Sequence, residues 1–116
     1  MRKRGEIWLA NLNPRRGTEP GKTRPVVIVQ AQALLDAEHP STLVVPLTTQ
    51  LTEAAEPLRI RVKATGGLRK DSDALIDQVR AVDNVRLVQG PIARLPQTQI
   101  AAVSNALLEV LDLLSE

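Results

Sequence analysis

The chain of 116 residues has no cysteine, no phenylalanine and no tyrosine, and it carries one tryptophan and one histidine. Without cysteine, disulfides, Cys-ligated zinc and thiolate nucleophiles are ruled out, which fits a reducing compartment. With one histidine, His39, and no cysteine, Ser-His-Asp, Cys-His and His-ligated metal sites are hard to build within one chain. Its setting, Ala-Glu-His-Pro-Ser, reads as a solvated loop after a short helical segment. Catalysis, if present, therefore rests on Arg, Lys, carboxylates, hydroxyls or amides. With Trp8 alone, base stacking on an aromatic platform is disfavoured as a binding mode. No apolar run reaches membrane-spanning length, and the basic start Met-Arg-Lys-Arg-Gly-Glu leads into a strand-like run rather than the apolar core of a signal peptide. The expectation is a soluble, cytoplasmic protein with no membrane contact and neither metal nor cofactor.

The net charge is only +2, but it is unevenly placed. Residues 1–30 hold seven bases (Arg2, Lys3, Arg4, Arg15, Arg16, Lys22, Arg24) against two acids (Glu6, Glu19), whereas no base lies beyond Arg94. Such a front suits an anionic partner such as nucleic acid, with an ordinary solvated surface as the alternative. The length corresponds to one domain over residues 1–116, burying roughly two thirds of the surface that the unfolded chain exposes.

Turn formers and apolar runs alternate along the chain. Gly5 to Asn11 is a first strand, and the turn-rich segment from Asn13 to Gly21 a long exposed loop. Pro25 to Gln30 is a continuous apolar run, as expected of a strand buried on both faces. Ala31 to Glu38 reads as one or two helical turns halted by Pro40. Thr42 to Thr48 is a third strand, where Pro46 implies a bulge or an edge. Leu58 to Lys63 alternates strictly, with Leu58, Ile60 and Val62 inward and Arg59, Arg61 and Lys63 forming a cationic outer face. Ala74 to Val82 reads as a strand interrupted by polar residues, Asp83 to Leu87 as a helical turn and Val88 to Ile92 as a last short strand. Pro96 suits the first position of a helix over Gln97–Leu114, with Ile100, Val103, Leu107, Leu111 and Leu114 at helical spacing. Leu108, Val110 and Leu113 widen that face, which fits either core packing or self-association. The fold class is mostly β (α+β): a strongly bent antiparallel sheet or barrel with a long C-terminal α-helix.

Arg24 precedes Pro25, whose fixed φ and missing N–H hold the arginine on extended backbone. The third strand ends on Thr48-Thr49-Gln50, so antiparallel pairing of consecutive strands allows, without demanding, that a guanidinium meet a hydroxyl pair; the alternative is a surface arginine beside a strand. A guanidinium forks two N–H donors onto phosphate oxygens, and a threonine hydroxyl adds a further donor to charge developing in phosphoryl transfer. RNA carries its own nucleophile, the 2′-hydroxyl, so positioning and electrostatics suffice for cleavage.

Arg4-Gly5-Glu6-Ile7-Trp8, Asn13-Pro14, Gly17-Thr18-Glu19, Arg24-Pro25-Val26, Thr48-Thr49-Gln50, Asp77-Gln78-Val79-Arg80 and Arg86-Leu87 follow one another in the order and spacing of a known family. Together they resemble the MazF/PemK toxin endoribonucleases of type II toxin–antitoxin systems. The resemblance implies an SH3-like β-barrel, a homodimer, and metal-independent cleavage of single-stranded RNA at short sequences to 2′,3′-cyclic phosphate and 5′-hydroxyl ends. It also implies inhibition by a cognate antitoxin. By position, Arg24 and Thr48 match the catalytic pair. The loop carrying Arg15, Arg16, Glu19 and Lys22 matches the segment that covers the RNA, with Glu19 as a base reader and the three cations as phosphate contacts. Here Thr18 and Pro20 replace the commoner Ser and Gln. Thr49 and Gln50 complete the RNA-binding set. Gln78, on a strand beneath the groove by analogy, reads a base or makes a structural hydrogen bond; Ser72 lines the cleft or caps a turn. Asp83 and Arg86 read as a structural ion pair. A non-catalytic toxin on the same barrel, binding a protein target such as gyrase, is the alternative in a different functional class.

Overall fold

In a computed structural model, which describes residues 2–14, 16–19 and 21–114, the alternating and apolar runs form seven antiparallel strands. These are β1 (Glu6–Asn11), β2 (Thr23–Ile28), β3 (Ser41–Thr48), β4 (Arg59–Val62), β5 (Ser72–Leu75), β6 (Arg80–Asp83) and β7 (Leu87–Arg94). A short helix α1 (Gln32–Asp36) joins β2 to β3, and α2 (Gln97–Val110) follows β7. The sheet order is β4-β5-β3-β2-β1-β7, with β6 also against β3. This is the mostly β, strongly bent arrangement with a C-terminal helix expected from the sequence. The sheet does not close, because β4 and β7 share no ladder among the described residues. Gly67 N–H, in the turn after β4, nevertheless donates to the Ile92 carbonyl of β7 at 2.7 Å.

β2 and β3 bury side chains on both faces, which is why Pro25–Gln30 lacks polar alternation. Val27 and Val45 join Ile7, Leu47, Val62, Ala74 and Ile76 in the core beneath α2, where Ile100, Val103 and Ala106 enter from the helix. Val26, Ile28 and Val44 point the other way, into a second core with Ala10, Leu12, Leu35, Val82 and Leu87. Each fully buried valine, leucine or isoleucine among them contributes about 1.5–3 kcal/mol relative to exposure.

Several expectations are corrected. Pro46 lies in a central strand, not at an edge: β3 pairs with β6 over Ser41–Val44 and with β5 over Leu47–Thr48. The proline sits in the gap between those partners, where no ladder donor is needed. The segment from Ala74 to Val82 is two strands, broken by a 3-10 turn over Ile76–Gln78 that drops Ile76 into the core. Leu58 precedes β4 and is half exposed, whereas Val62 is buried as expected.

Helix α2 ends at Val110, four residues before the expected limit. Asp112 takes φ 57°, with Leu113 N–H donating to the Leu108 carbonyl and Asp112 N–H to that of Glu109. This is a Schellman stop with aspartate where glycine is usual. Leu111 and Leu114 are consequently exposed rather than continuing the buried stripe. Arg86 makes no ion pair with Asp83 among the described residues. Asp83 instead accepts from Val85 N–H at 3.1 Å, and Arg86 Nη1 donates to the carbonyls of Asn11 and Asn13.

Candidate active site

The pairing of β2 with β3 fixes the central geometry. Val26 faces Pro46, Val27 faces Val45 and Ile28 faces Val44. Arg24 lies two residues before Val26 on β2 and Thr48 two residues after Pro46 on β3, so both stand at the same end of this ladder. On the far side of β3, Thr48 pairs with Asp73 of β5, and Asp73 pairs with Arg61 of β4. One row across β3, β5 and β4 therefore reads Thr48, Asp73, Arg61.

Arg24 and Thr48 line the same cleft of about 420 Å³ with Thr18, Glu19, Thr49, Gln50, Arg59 and Leu75. Arg24 is half-buried, and its Nε donates to the carbonyl of the buried Gly21 at 2.9 Å. That bond holds the side chain while leaving the two Nη groups to donate to a ligand. Thr48 Oγ1 accepts from Gln50 N–H at 3.2 Å, a local turn that orients the hydroxyl and leaves its O–H as donor. The cleft thus offers fixed donors for a tetrahedral or pentacovalent oxyanion beside one carboxylate, Glu19.

The loop that brings Glu19 to the cleft is clamped at its base. Leu12 N–H donates to the Lys22 carbonyl at 2.8 Å, and Lys22 N–H to Asn13 Oδ1 at 2.7 Å. Arg86 closes the clamp through the two carbonyls already named. Arg16 and Lys22 are exposed on this loop and do not line the cleft; Arg15 lies outside the described residues.

A network at the other end of the row stiffens the turn after Thr48. Asp73 is 1 % exposed and accepts from Arg61 Nε at 2.7 Å on one oxygen and from Thr52 N–H at 2.8 Å on the other. Glu53 accepts a second Arg61 donor at 3.2 Å. Burial acts to raise the Asp73 carboxyl, but the Arg61 hydrogen bond and the Thr52 N–H outweigh it and hold the group below its ordinary value. Arg61 is correspondingly pushed up, chiefly by Asp73 and then by Glu53.

The remaining candidates lie elsewhere. Ser72 is buried beside a second groove of about 490 Å³ that shares Thr49 with the cleft, and its Oγ donates to the Lys70 carbonyl at 3.1 Å. Gln78 lies in the 3-10 turn, not on a strand, and is not among the residues lining the cleft. Two of the seven N-terminal bases have structural work. Arg4 donates to Ser104 Oγ at 2.6 Å, tying the N-terminus to α2, and Arg2 stacks 5.3 Å from the Trp8 ring. No group of three or more metal-ligating side chains gathers among the described residues. Thr18 and Arg59 line the cleft without having been singled out from the sequence. The outward cationic face of Leu58–Lys63 was the available signal for Arg59.

The fold matches known structures along almost its whole length. The MazF of Deinococcus radiodurans superposes with a TM-score of 0.78 at 22 % identity, covering 96 % of each chain. The Mycobacterium tuberculosis toxin MazF-mt6 gives 0.74 at 24 % identity over 92 % of this chain and 96 % of that one. A mycobacterial endoribonuclease solved with its cognate antitoxin gives 0.76 at 16 % identity over the full length of both. The family model of PemK-like, MazF-like toxins of type II toxin–antitoxin systems matches residues 3–111, and the chain belongs to that family.

Proposed function

We propose that this protein is a single-domain, cytoplasmic toxin that cleaves single-stranded RNA at a short sequence without metal, leaving 2′,3′-cyclic phosphate and 5′-hydroxyl ends. The observation that carries this reading is that Arg24 of β2 and Thr48 of the adjacent β3 line a single polar cleft. In the reaction the RNA 2′-oxygen bonds to the adjacent phosphorus as its proton passes to water, and the bond from phosphorus to the 5′-oxygen breaks as that oxygen takes a proton from water. The Nη groups of Arg24 and the hydroxyl of Thr48 donate to the phosphoryl oxygens as charge gathers there, where preorganised donors act most strongly. Arg24 also assists proton transfer from its charged form, since a guanidinium is a poor base.

Glu19, Thr49 and Gln50 supply acceptors and donors for the bases flanking the cut. Arg15, Arg16 and Lys22 contact phosphates from the loop, and Ser72 supports the cleft through its turn. The functional unit is a homodimer. Its inhibitor is a cognate antitoxin segment that is disordered alone and folds over the RNA site. The mycobacterial neighbour bound to its antitoxin supports that partner class. The test is incubation of purified protein with a diverse single-stranded RNA pool in excess EDTA, followed by mapping of the ends. Discrete sites with 5′-hydroxyl ends are expected; growth arrest that persists in Arg24→Ala while RNA stays intact would instead favour a binding toxin.

A further inference from the structure

Two arginines of β4 share one face of the sheet, yet they have different company. Arg61 is occupied: Asp73 takes its Nε and Glu53 one Nη. Arg59, two residues earlier, makes no ion pair or side-chain hydrogen bond among the described residues, although Glu53, Glu56 and Asp73 line the small pocket beside it. It is half-buried and reaches the wall of the cleft that holds Arg24 and Thr48. Its guanidinium nitrogens are not buried, so its five donors stay open to an anionic ligand entering the cleft.

We propose that Arg59 is a substrate-holding residue that binds the RNA phosphate next to the scissile one, a role that rests on the endoribonuclease reading of the cleft. Its place in the sheet fixes which phosphate. Arg59 faces Leu75, one row away from the Thr48, Asp73 and Arg61 row, and β4 is two strands beyond β3. Two strand spacings set the Arg59 backbone about 10 Å from that of Thr48, so its guanidinium, extended along the shared cleft, meets the neighbouring phosphate while Arg24 and Thr48 hold the scissile one. The two acids taken by Arg61 are what keep Arg59 available.

The test uses the intact protein and a labelled single-stranded RNA oligonucleotide carrying the cut site mapped with the wild type, made uncleavable by a 2′-deoxy nucleotide at the cut. Arg59→Gln is expected to bind about tenfold more weakly. Its log-affinity against log-salt slope should be shallower by about 0.7, one phosphate contact fewer. On the cleavable RNA the loss should fall on KM, with kcat within about threefold of wild type. Arg59→Lys should recover the salt slope while staying severalfold weaker, because an ammonium lacks the forked donors. Wild-type affinity and slope in Arg59→Gln overturn the proposal, and if that variant proves unstable, wild-type affinity in Arg59→Lys does so. A wild type that cuts RNA while the Arg59 variants behave identically refutes Arg59 alone; a wild type that cuts none removes the reading beneath it.

Discussion

Replacing Asp73 with asparagine removes a charge without changing shape, at the point where the turn after Thr48 is tied to the sheet. The carboxylate accepts on both oxygens, from Arg61 Nε and from Thr52 N–H. In asparagine one of those oxygens becomes an NH2 donor, so one bond is lost and two donors face each other in a site that is 1 % exposed. Leaving a buried donor unsatisfied costs about 1–3 kcal/mol. Removing one partner of a fully buried ion pair costs about 3–5 kcal/mol. Arg61 keeps 30 % of its side chain in solvent and retains Glu53, so the lower range applies. The expected loss is about 2 kcal/mol, or a fall in Tm of roughly 8 °C at this chain length.

The pH dependence separates charge from shape. Because Asp73 in the folded protein lies below its ordinary value, its stabilisation is fully present above about pH 4 and disappears as pH falls through the folded-state pKa. Urea unfolding of wild type and Asp73→Asn from pH 7 down to pH 3 should show a constant gap that narrows below about pH 4. A gap under about 0.5 kcal/mol at pH 7, or one that stays constant to the lowest pH at which both fold, would refute the ion-pair reasoning.

Gly90→Ala should destabilise by about 1–3 kcal/mol, since an added Cβ would sit 2.3 Å from Cδ2 of Trp8; the lone tryptophan makes near-UV circular dichroism the direct readout of its displacement. Ile76→Ala empties a fully buried position between the sheet and α2 and should cost about 2–5 kcal/mol in urea unfolding. Arg86→Ala removes the donors that clamp Asn11 and Asn13, so amide exchange over residues 12–22 should speed by an order of magnitude or more, with the β2–β3 amides unchanged.

The fold class was legible because its signals are local. Strict alternation marked Arg59–Val62, the unbroken apolar run marked a strand buried on both faces, and helical spacing marked α2. What escaped the sequence depends on partners distant along the chain. Pro46 is tolerated in a central strand only because β5 and β6 leave a gap opposite it, and Ile76 breaks a strand because the core beneath α2 needs its side chain. The stop at Asp112 uses an aspartate in the left-handed region, a position where sequence patterns lead one to expect glycine.

At the site, Arg24 and Thr48 were legible as a juxtaposition because one register relates consecutive strands. Arg59 was not, since only the β4–β5 pairing carries it to the same cleft. The Asp83–Arg86 pair failed for the opposite reason: proximity in sequence implied a contact, while the backbone carbonyls of Asn11 and Asn13 offered Arg86 better geometry.

The most direct measurement is cleavage of a defined single-stranded RNA by wild type, Arg24→Ala and Thr48→Ala in excess EDTA, with folding of each variant checked by thermal melt. Wild type is expected to leave 2′,3′-cyclic phosphate and 5′-hydroxyl ends, and each variant to lose at least about a hundredfold in kcat with Tm little changed. Equal cleavage by a folded Arg24→Ala, or intact RNA under wild type across a diverse pool, would contradict the assignment of the cleft.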